Sequence, residues 1–381
     1  MNIISKFKTY NIRFIKNLNC IIDFAKDDAV YFVLDSNIER LYKEVFVCIP
    51  VERLFVIDAI EQKKTINTVI EICDKMTSMS SKRNTHLISI GGGITQDITG
   101  FVANVLYRGI KWTFLPSTLL AACDSCIGGK TSLNCNGFKN LLGTFYPPDE
   151  IMIFPEFFKT LSEYDFYSGL GEVVKFNVMA GKDGISVIEK NINKLLVRDT
   201  KILSEFCLRS LKFKKDFIEE DEFDKGRRIL LNFAHTFGHA FETASNYEIP
   251  HGSAVAMGMI VANYISVRRN MLNEIFAKRI ETVCRKILTL QLQPFWFKSD
   301  IIISAIRKDK KQVNNNIRAV LMKQDCSLEV FADIEEMEII DAVKYLKEFL
   351  ITPPLLYARI GVSKDCDNLI LNIRPRLLEV A

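Results

Sequence analysis

The sequence predicts an α/β N-terminal domain on a Rossmann-like parallel sheet, followed by a mostly α-helical C-terminal domain. Three observations carry this expectation. Short apolar, β-branched runs at Val30–Leu34, Leu54–Ile57, Leu87–Ile90 and Trp112–Leu115 alternate with helix-like segments, the pattern of strands joined by crossover helices. The third run leads straight into Gly91-Gly92-Gly93. From Thr160 strand-like runs become rare, and a helical apolar period dominates to about Leu350. The expected units are residues 1–158, residues 159–350, and a tail from 351 to 381 that opens on Pro353-Pro354.

Taken in order, Asp35-Ser36 opens a helix-like segment after the first run, and Thr65–Met79 carries apolar residues near a 3.6 period. A triple glycine after a strand suits close approach of backbone to a phosphate-bearing ligand, although a plain tight turn has the same signature. It is not G-x-G-x-x-G, so the usual dinucleotide fingerprint is absent. Trp112–Leu115 leads to Pro116-Ser117-Thr118. A polar stretch follows, with Asp124, Ser125, Gly128-Gly129-Lys130-Thr131, Asn134, Lys139 and Asn140, and it reads as a loop region. Gly-Gly-Lys-Thr lacks the upstream glycine of a P-loop, which rejects an NTPase. Its lysines and small residues still suit a phosphate or carboxylate. Cys123 and Cys126 form C-x-x-C without a second copy to complete a zinc knuckle, and they read as reduced, structural cysteines.

In the second half Glu172 and Lys175 lie three apart on one helix face, where a surface ion pair is the plain alternative. The acidic run Glu219–Glu222 reads as a solvated face. Three of the four histidines, His235, His239 and His251, fall between Leu230 and Met259. His235 and His239 share a helix face with Glu242 a turn further on, and His251 sits at a turn. H-x-x-x-H alone is a weak metal signal, and Thr236 stands where the zincin motif needs glutamate.

Composition narrows the classes. A chain of 381 residues with 48% hydrophobic and 25% charged residues is ordinary for a soluble globular protein. Net charge +4 gives no nucleic-acid footprint, and no apolar run reaches the length of a membrane span. The N-terminal stretch lacks the apolar core of a signal peptide, so the expected location is cytoplasmic.

The motifs GGGITQDITGF, YRG, LPSTLLAACDSCIGGKT, KNLLGTFYPP, GLGEVVK, LLNFAHTFGHAFE and HGSAVAMGM occur in this order. Together they resemble 3-dehydroquinate synthase and the wider sugar phosphate cyclases, over roughly residues 28 to 350. The resemblance implies the fold of that family, with NAD on the first domain, a zinc or cobalt ion on the second, and the active site between them. By motif, Glu172, His235 and His251 would hold the metal, and His239 would lie near the substrate phosphate instead. NAD would be held by Gly91, Gly92, Gly93, Asp97, Ser117, Thr118, Lys130, Lys139, Phe157, Thr160, Leu161 and Asp165, with Glu61 and Lys64 on its adenosine half. Substrate would meet Asp124, Lys130, Asn140, Lys175, Lys214, Arg228, Asn232 and Lys310 or Lys311. Arg108 resembles an arginine that reaches into a neighbouring subunit's site, which implies a homodimer.

The implied reaction converts 3-deoxy-arabino-heptulosonate 7-phosphate to 3-dehydroquinate and phosphate through transient oxidation by NAD, elimination, re-reduction and aldol closure. Relatives whose substrates carry no carboxylate typically lose the basic residues at Lys214 and Arg228, and this chain keeps both. The alternatives are a related cyclase forming a different carbocycle and a metal-dependent polyol dehydrogenase. The chain departs from the family pattern at Gln96, Ser117, Asp165, Ala234 and Ser253, as a divergent branch would.

Overall fold

The computed structural model describes residues 1–289, 293–308 and 316–351. Lys310, Lys311 and the tail beyond Ile351 lie outside the described residues.

The strands are β1 (Asn2–Ile4), β2 (Thr9–Phe14), β3 (Val30–Asp35), β4 (Leu54–Ile57), β5 (His86–Gly91), β6 (Lys111–Pro116), β7 (Lys130–Cys135), β8 (Phe138–Phe145), β9 (Glu150–Ile153), β10 (Ile317–Met322) and β11 (Leu328–Ile334). Seven of them form one sheet in the order β1-β2-β9-β6-β5-β3-β4, parallel throughout except for the β1–β2 pair. Every residue of β3 is buried, as expected for a strand covered on both faces. From β3 the chain runs outward to β4, and from β5 it runs the other way to β6 and β9. The β3/β5 boundary is therefore the topological switch point, where open α/β sheets bind ligands at the carboxyl ends of the strands. The triple glycine lies at that place.

The helix expected at Thr65–Met79 spans Ile66–Ser78, with the Thr65 side chain accepting from Thr68 N as its N-cap. One expectation fails. The stretch read as a loop contains the β7–β8 hairpin, whose Lys130↔Phe145 to Cys135↔Phe138 ladder is interrupted by a register shift. Turn residues Asn136 and Gly137, both at positive φ, close it, and its polar side chains hid the alternation.

From Glu163 the described chain is helical apart from the β10–β11 hairpin: Glu163–Met179, Gly181–Leu196, Thr200–Glu220, His235–Ala244, His251–Arg268, Glu274–Ile287, Ser299–Lys308 and Glu336–Ile351. His251–Arg268 is buried on nearly every side and forms the centre of this half. It meets Glu163–Met179 backbone to backbone. A Cβ on Gly171 would fall 2.1 Å from Gly252 O, so only glycine permits the contact. Because Gly171 precedes Glu172 and Gly252 follows His251, the crossing sets those two side chains together.

The acidic run is not simply a solvated face. Glu222 is buried, accepting from Ser5 Oγ at 2.5 Å and Lys6 N at 2.6 Å, and Glu219 accepts from Ile4 N at 2.7 Å. These carboxylates pin the β1–β2 connection to the helical half, because unpaired backbone N–H groups there need acceptors.

Candidate active site

A cavity of about 260 Å³ opens between the two halves. Asp97, Asp124, Ser125, Ile127, Lys130 and Ser132 line it from the α/β side, and Lys175, Lys214, Asp224, Arg228, Leu231, Asn232 and His235 from the helical side. Six residues expected to meet substrate, Asp124, Lys130, Lys175, Lys214, Arg228 and Asn232, are thus brought together. Asn140 and His239 do not line it. Asn140 adjoins it through Ser132, whose Oγ donates to Asn140 Oδ1 at 2.8 Å, and His239 lies beside His251 with ring centroids 6.1 Å apart.

Each cation is held by a partner that leaves it facing the cavity. Lys214 Nζ lies 2.8 Å from Asp124 Oδ1 and donates to Asp124 O at 2.7 Å. Burial would raise the Asp124 carboxyl, but Lys214 outweighs it and keeps the acid ionised below its usual range. Arg228 is buried and donates to Glu222 O at 2.5 Å. Lys130 pairs with Asp224 at 2.5 Å, and burial together with the nearby Arg228 lowers its pKa. Asp224 was not singled out in the sequence, where it follows the acidic run Glu219–Glu222. Asn232 Nδ2 donates to Ile229 O at 3.0 Å.

Lys175, which lines the cavity, forms a buried ion pair with Glu172 at 2.6 Å rather than a surface one. Lys175 also donates to Leu231 O at 3.2 Å. His235 Nε2 and His251 Nε2 converge on Glu172 Oε1 at 3.1 and 3.2 Å. His251 is the first residue of its helix rather than part of the preceding turn. Burial tends to raise the Glu172 carboxyl, yet Lys175 and His235 hold it well below the ordinary value. Burial, with Lys175, depresses His235 to about 3. Burial also opposes charge on His251, but hydrogen bonds with Glu172 and Glu242 prevail and raise it to about 10.

A divalent cation fits this donor set. The ligand atoms of Glu172, His235 and His251 lie within 4.8 Å of one another, and one carboxylate with two imidazoles suits zinc or cobalt. A dinucleotide fits the switch-point crevice equally. Helix Gly93–Val105 begins without a side-chain cap, leaving its first N–H groups for an anion. A Cβ on Gly92 would meet Thr118 Cγ2 at 2.9 Å, and the buried Thr95 hydroxyl beside Gly91 has no partner.

Around this crevice Ser117 N donates to Gly91 O at 2.8 Å. Lys64 pairs with Asp97 and donates to Asn140 Oδ1 at 2.6 Å. Ser132 N donates to Asp97 Oδ1 at 3.1 Å with its Oγ 3.0 Å from Asp97 Oδ2, and Asn134 donates to Glu61 Oε1 at 2.8 Å. Glu61, Lys64, Asp97 and Asn140 therefore belong to one network, tied by Ser132 and Asn134, which the sequence reading did not assign. Phe157 is fully buried, edge-on to Tyr42 at 5.0 Å, and Thr160 Oγ1 donates to Phe157 O at 3.0 Å. Half-buried Leu161 follows, accepting from Arg198 at 2.7 Å, and exposed Asp165 is bonded to its N-cap Ser162. Lys139 stands over the Tyr247 ring at 3.7 Å. The reading also passed over Asp35, at the carboxyl end of β3. Burial, with Asp165 adding to it, raises its carboxyl despite the bond from Asn37 N. Switch-point topology was the signal that could have found it.

Arg108 does not reach the cavity. It is exposed in a left-handed turn, with φ of 52° at Tyr107, 65° at Arg108 and 118° at Gly109, and has no ion-pair or hydrogen-bond partner among the described residues. Cys123 and Cys126 are buried free thiols that donate to backbone carbonyls, and burial pushes Cys126 up to about 12. Such thiols are inert, as the structural reading requires.

Residues 54–168 match the family model described as 3-dehydroquinate synthase N-terminal, and residues 169–312 the model described as 3-dehydroquinate synthase C-terminal. The chain is 35% identical over 324 residues to a 3-dehydroquinate synthase of Dictyoglomus turgidum, covering 84% of this chain and 89% of that protein. It is 36% identical over 341 residues to one from Clostridium tetani, covering 89% and 88%. Among solved structures it resembles ValA, a 2-epi-5-epi-valiolone synthase from Streptomyces hygroscopicus with NAD+ and Zn2+ bound, at TM-score 0.78 and 26% identity over 91% of this chain and 99% of that one. A 2-deoxy-scyllo-inosose synthase complexed with carbaglucose-6-phosphate, NAD+ and Co2+ gives TM-score 0.80 and 25% identity over the same shares. A probable glycerol dehydrogenase from Sinorhizobium meliloti, at TM-score 0.56 and 12% identity over 89% of this chain and 97% of that one, shares the fold alone.

Proposed function

The chain belongs to the 3-dehydroquinate synthase family, and from that premise we propose that it is itself a 3-dehydroquinate synthase, a phosphate-eliminating lyase that closes a carbocycle from 3-deoxy-arabino-heptulosonate 7-phosphate. The observation that carries this reading is the pairing of Lys214 and Arg228, with Lys130 and Lys175, around one cavity that is also lined by His235, a member of the Glu172, His235 and His251 triad. A substrate with both a phosphate and a carboxylate needs such paired cations, and a polyol does not.

Bound NAD+ would supply a reversible hydride acceptor, and a zinc or cobalt ion on Glu172, His235 and His251 would polarise a substrate oxygen. The rest falls to side chains. Lys214 and Arg228 bind the carboxylate end, and Lys130, Asn140 and His239, with Lys310 or Lys311, the phosphate end; two fixed anions orient one small molecule. Lys175 Nζ, 2.6 Å from Glu172, holds a proton next to the triad, Asp124 keeps Lys214 aimed, and Asn232 would donate to a ring hydroxyl. The dinucleotide would be held by Asp35, Gly91, Gly92, Gly93, Ser117 and Thr118, with Glu61, Lys64, Asp97, Lys130, Lys139, Phe157, Thr160, Leu161 and Asp165.

We place the domain boundary near residue 158, and read the protein as a cytoplasmic homodimer. The nine unpaired cysteines among the described residues support a reducing compartment, and an exposed Arg108 held in a left-handed turn supports a role on a second subunit.

The test is phosphate release from the heptulosonate beside sedoheptulose 7-phosphate, with the product identified by mass. Phosphate and dehydroquinate from the former, without accumulation of reduced nicotinamide, support the reading. Turnover of the latter alone assigns another cyclase, and accumulating NADH a dehydrogenase.

A further inference from the structure

Both imidazoles that face Glu172 are held from behind. His235 presents Nε2 to Glu172 Oε1, and its Nδ1 lies 3.1 Å from the backbone oxygen of Phe233. His251 presents Nε2 to the same oxygen, and its Nδ1 lies 3.2 Å from Glu242 Oε1. A carbonyl or carboxylate can only accept, so each partner favours a ring proton at Nδ1, and a cation seated against Glu172 would then meet Nε2 as the ligand atom of each ring. Glu242 stands on helix His235–Ala244 seven residues past His235, so it projects on the same face, and its side chain is only 15% exposed.

We propose that Glu242 is a positioning residue for the cation site: its carboxylate fixes the ring of His251 and supplies a second negative charge behind it. This rests on Glu172, His235 and His251 being that site. An imidazole that donates to a carboxylate is a stronger metal donor than one that donates to water, and removing such a partner typically weakens metal affinity about 10–100-fold. Two carboxylates also balance a divalent charge that Glu172 alone does not. His239, Glu242 and His251 form a second close group, with ligand atoms within 4.8 Å. In it Nδ1 of His251 already faces the Glu242 carboxylate at 3.2 Å, while Nε2 faces Glu172, so His251 has one ring atom to offer a cation. One ion per chain is the consequence.

The experiment uses the full chain, its Glu242→Gln and Glu242→Asp variants, and His235→Ala. Each is stripped and titrated with Zn2+ against a chromophoric chelator, the Co2+ visible spectrum is recorded, and the metal-free proteins are melted. The expected result is one ion on the wild-type chain, affinity about 10–100-fold weaker and a changed Co2+ spectrum in Glu242→Gln, partial recovery in Glu242→Asp, and metal-free melting unchanged. Undiminished affinity in Glu242→Gln overturns the proposal. So do two ions on the wild-type chain falling to one in the variant, which would make Glu242 a ligand. A wild-type chain that binds no ion, or binds it as tightly in His235→Ala, overturns the cation site itself.

Discussion

His235 and His239 are four residues apart on one helix, yet the structure gives them different surroundings. His235 meets Glu172 Oε1 at 3.1 Å, while His239 sits behind His251 and outside the cavity lining. Spacing alone could not separate them, since a helix face presents both alike; the distinction depends on Glu172, more than sixty residues away. We expect His235→Ala to lose bound metal and His239→Ala to retain it while losing turnover. Metal analysis of both variants checks this, and equal loss in the two refutes the division of roles. On the proposed reading, Arg228→Ala would leave the carboxylate end of the substrate without a buried partner. Its kcat/KM for the heptulosonate should fall by about 30-fold or more, and unchanged kinetics would point to a different substrate. Departures from the family pattern also become interpretable at this scale. Gln96 exchanges two hydrogen bonds with Ser125, at 2.8 and 2.7 Å, bracing the turn beside Asp124. Ala234 holds a left-handed φ of 70° directly before His235, where the family glycine would be unstrained.

Elements were readable where periodicity was strong and both faces of a strand were covered. β3, β5 and β6 showed as continuous apolar runs, while β1 and β2 did not, because their faces alternate between core and solvent. The β7–β8 hairpin was hidden for a related reason: nearly all of β8 faces outward from the core. The helix crossing at Gly171 and Gly252 could be found only in space. Ala at position 171 would drive its methyl into the Gly252 backbone at 2.1 to 2.3 Å, with no flexible side chain to yield. We expect Gly171→Ala to cost about 3 kcal/mol or more and to weaken metal binding, since the crossing sets Glu172 against His251; an unchanged melting temperature and metal content would show that the helices can part freely. At the start of β5, His86 shares a hydrogen bond with Thr113 Oγ1 at 2.9 Å. Burial, with Lys111 nearby, lowers its pKa from 6.5 to about 4. The unfolded chain therefore takes up a proton that the folded chain refuses. The stability this group contributes is complete above its unfolded value of 6.5 and is lost as pH falls toward about 4. The amount is at most about 3 kcal/mol. His86→Gln should flatten the melting profile across that window, whereas a parallel fall in both proteins would assign the acid sensitivity to other groups.

At the scale of the whole molecule, the cavity is lined by two halves of the chain at once. Asp124 and Lys130 come from one, Lys175, Lys214 and Arg228 from the other, and the β1–β2 connection ties them through Glu219 and Glu222. A phosphate-bearing ligand would still leave one feature without use in a single chain: Arg108, exposed and unpartnered among the described residues, in a turn where two successive non-glycine residues hold positive φ. Such strain costs of order 1–3 kcal/mol per residue and persists where something beyond the local chain requires it. If the arginine completes the site of a second copy, two inactive variants must rescue each other. Arg108→Ala keeps an intact metal triad, and His235→Ala keeps the arginine. Unfolding and reassembling them together at equal amounts makes half the dimers mixed, and each mixed dimer holds one complete site, so about a quarter of wild-type activity should return. An arginine acting within its own chain would leave every site in the mixture defective, and activity would stay at the level of the separate variants. Light scattering of the wild-type chain supplies the companion measurement, since a monomer at assay concentration would remove the second subunit from the argument altogether.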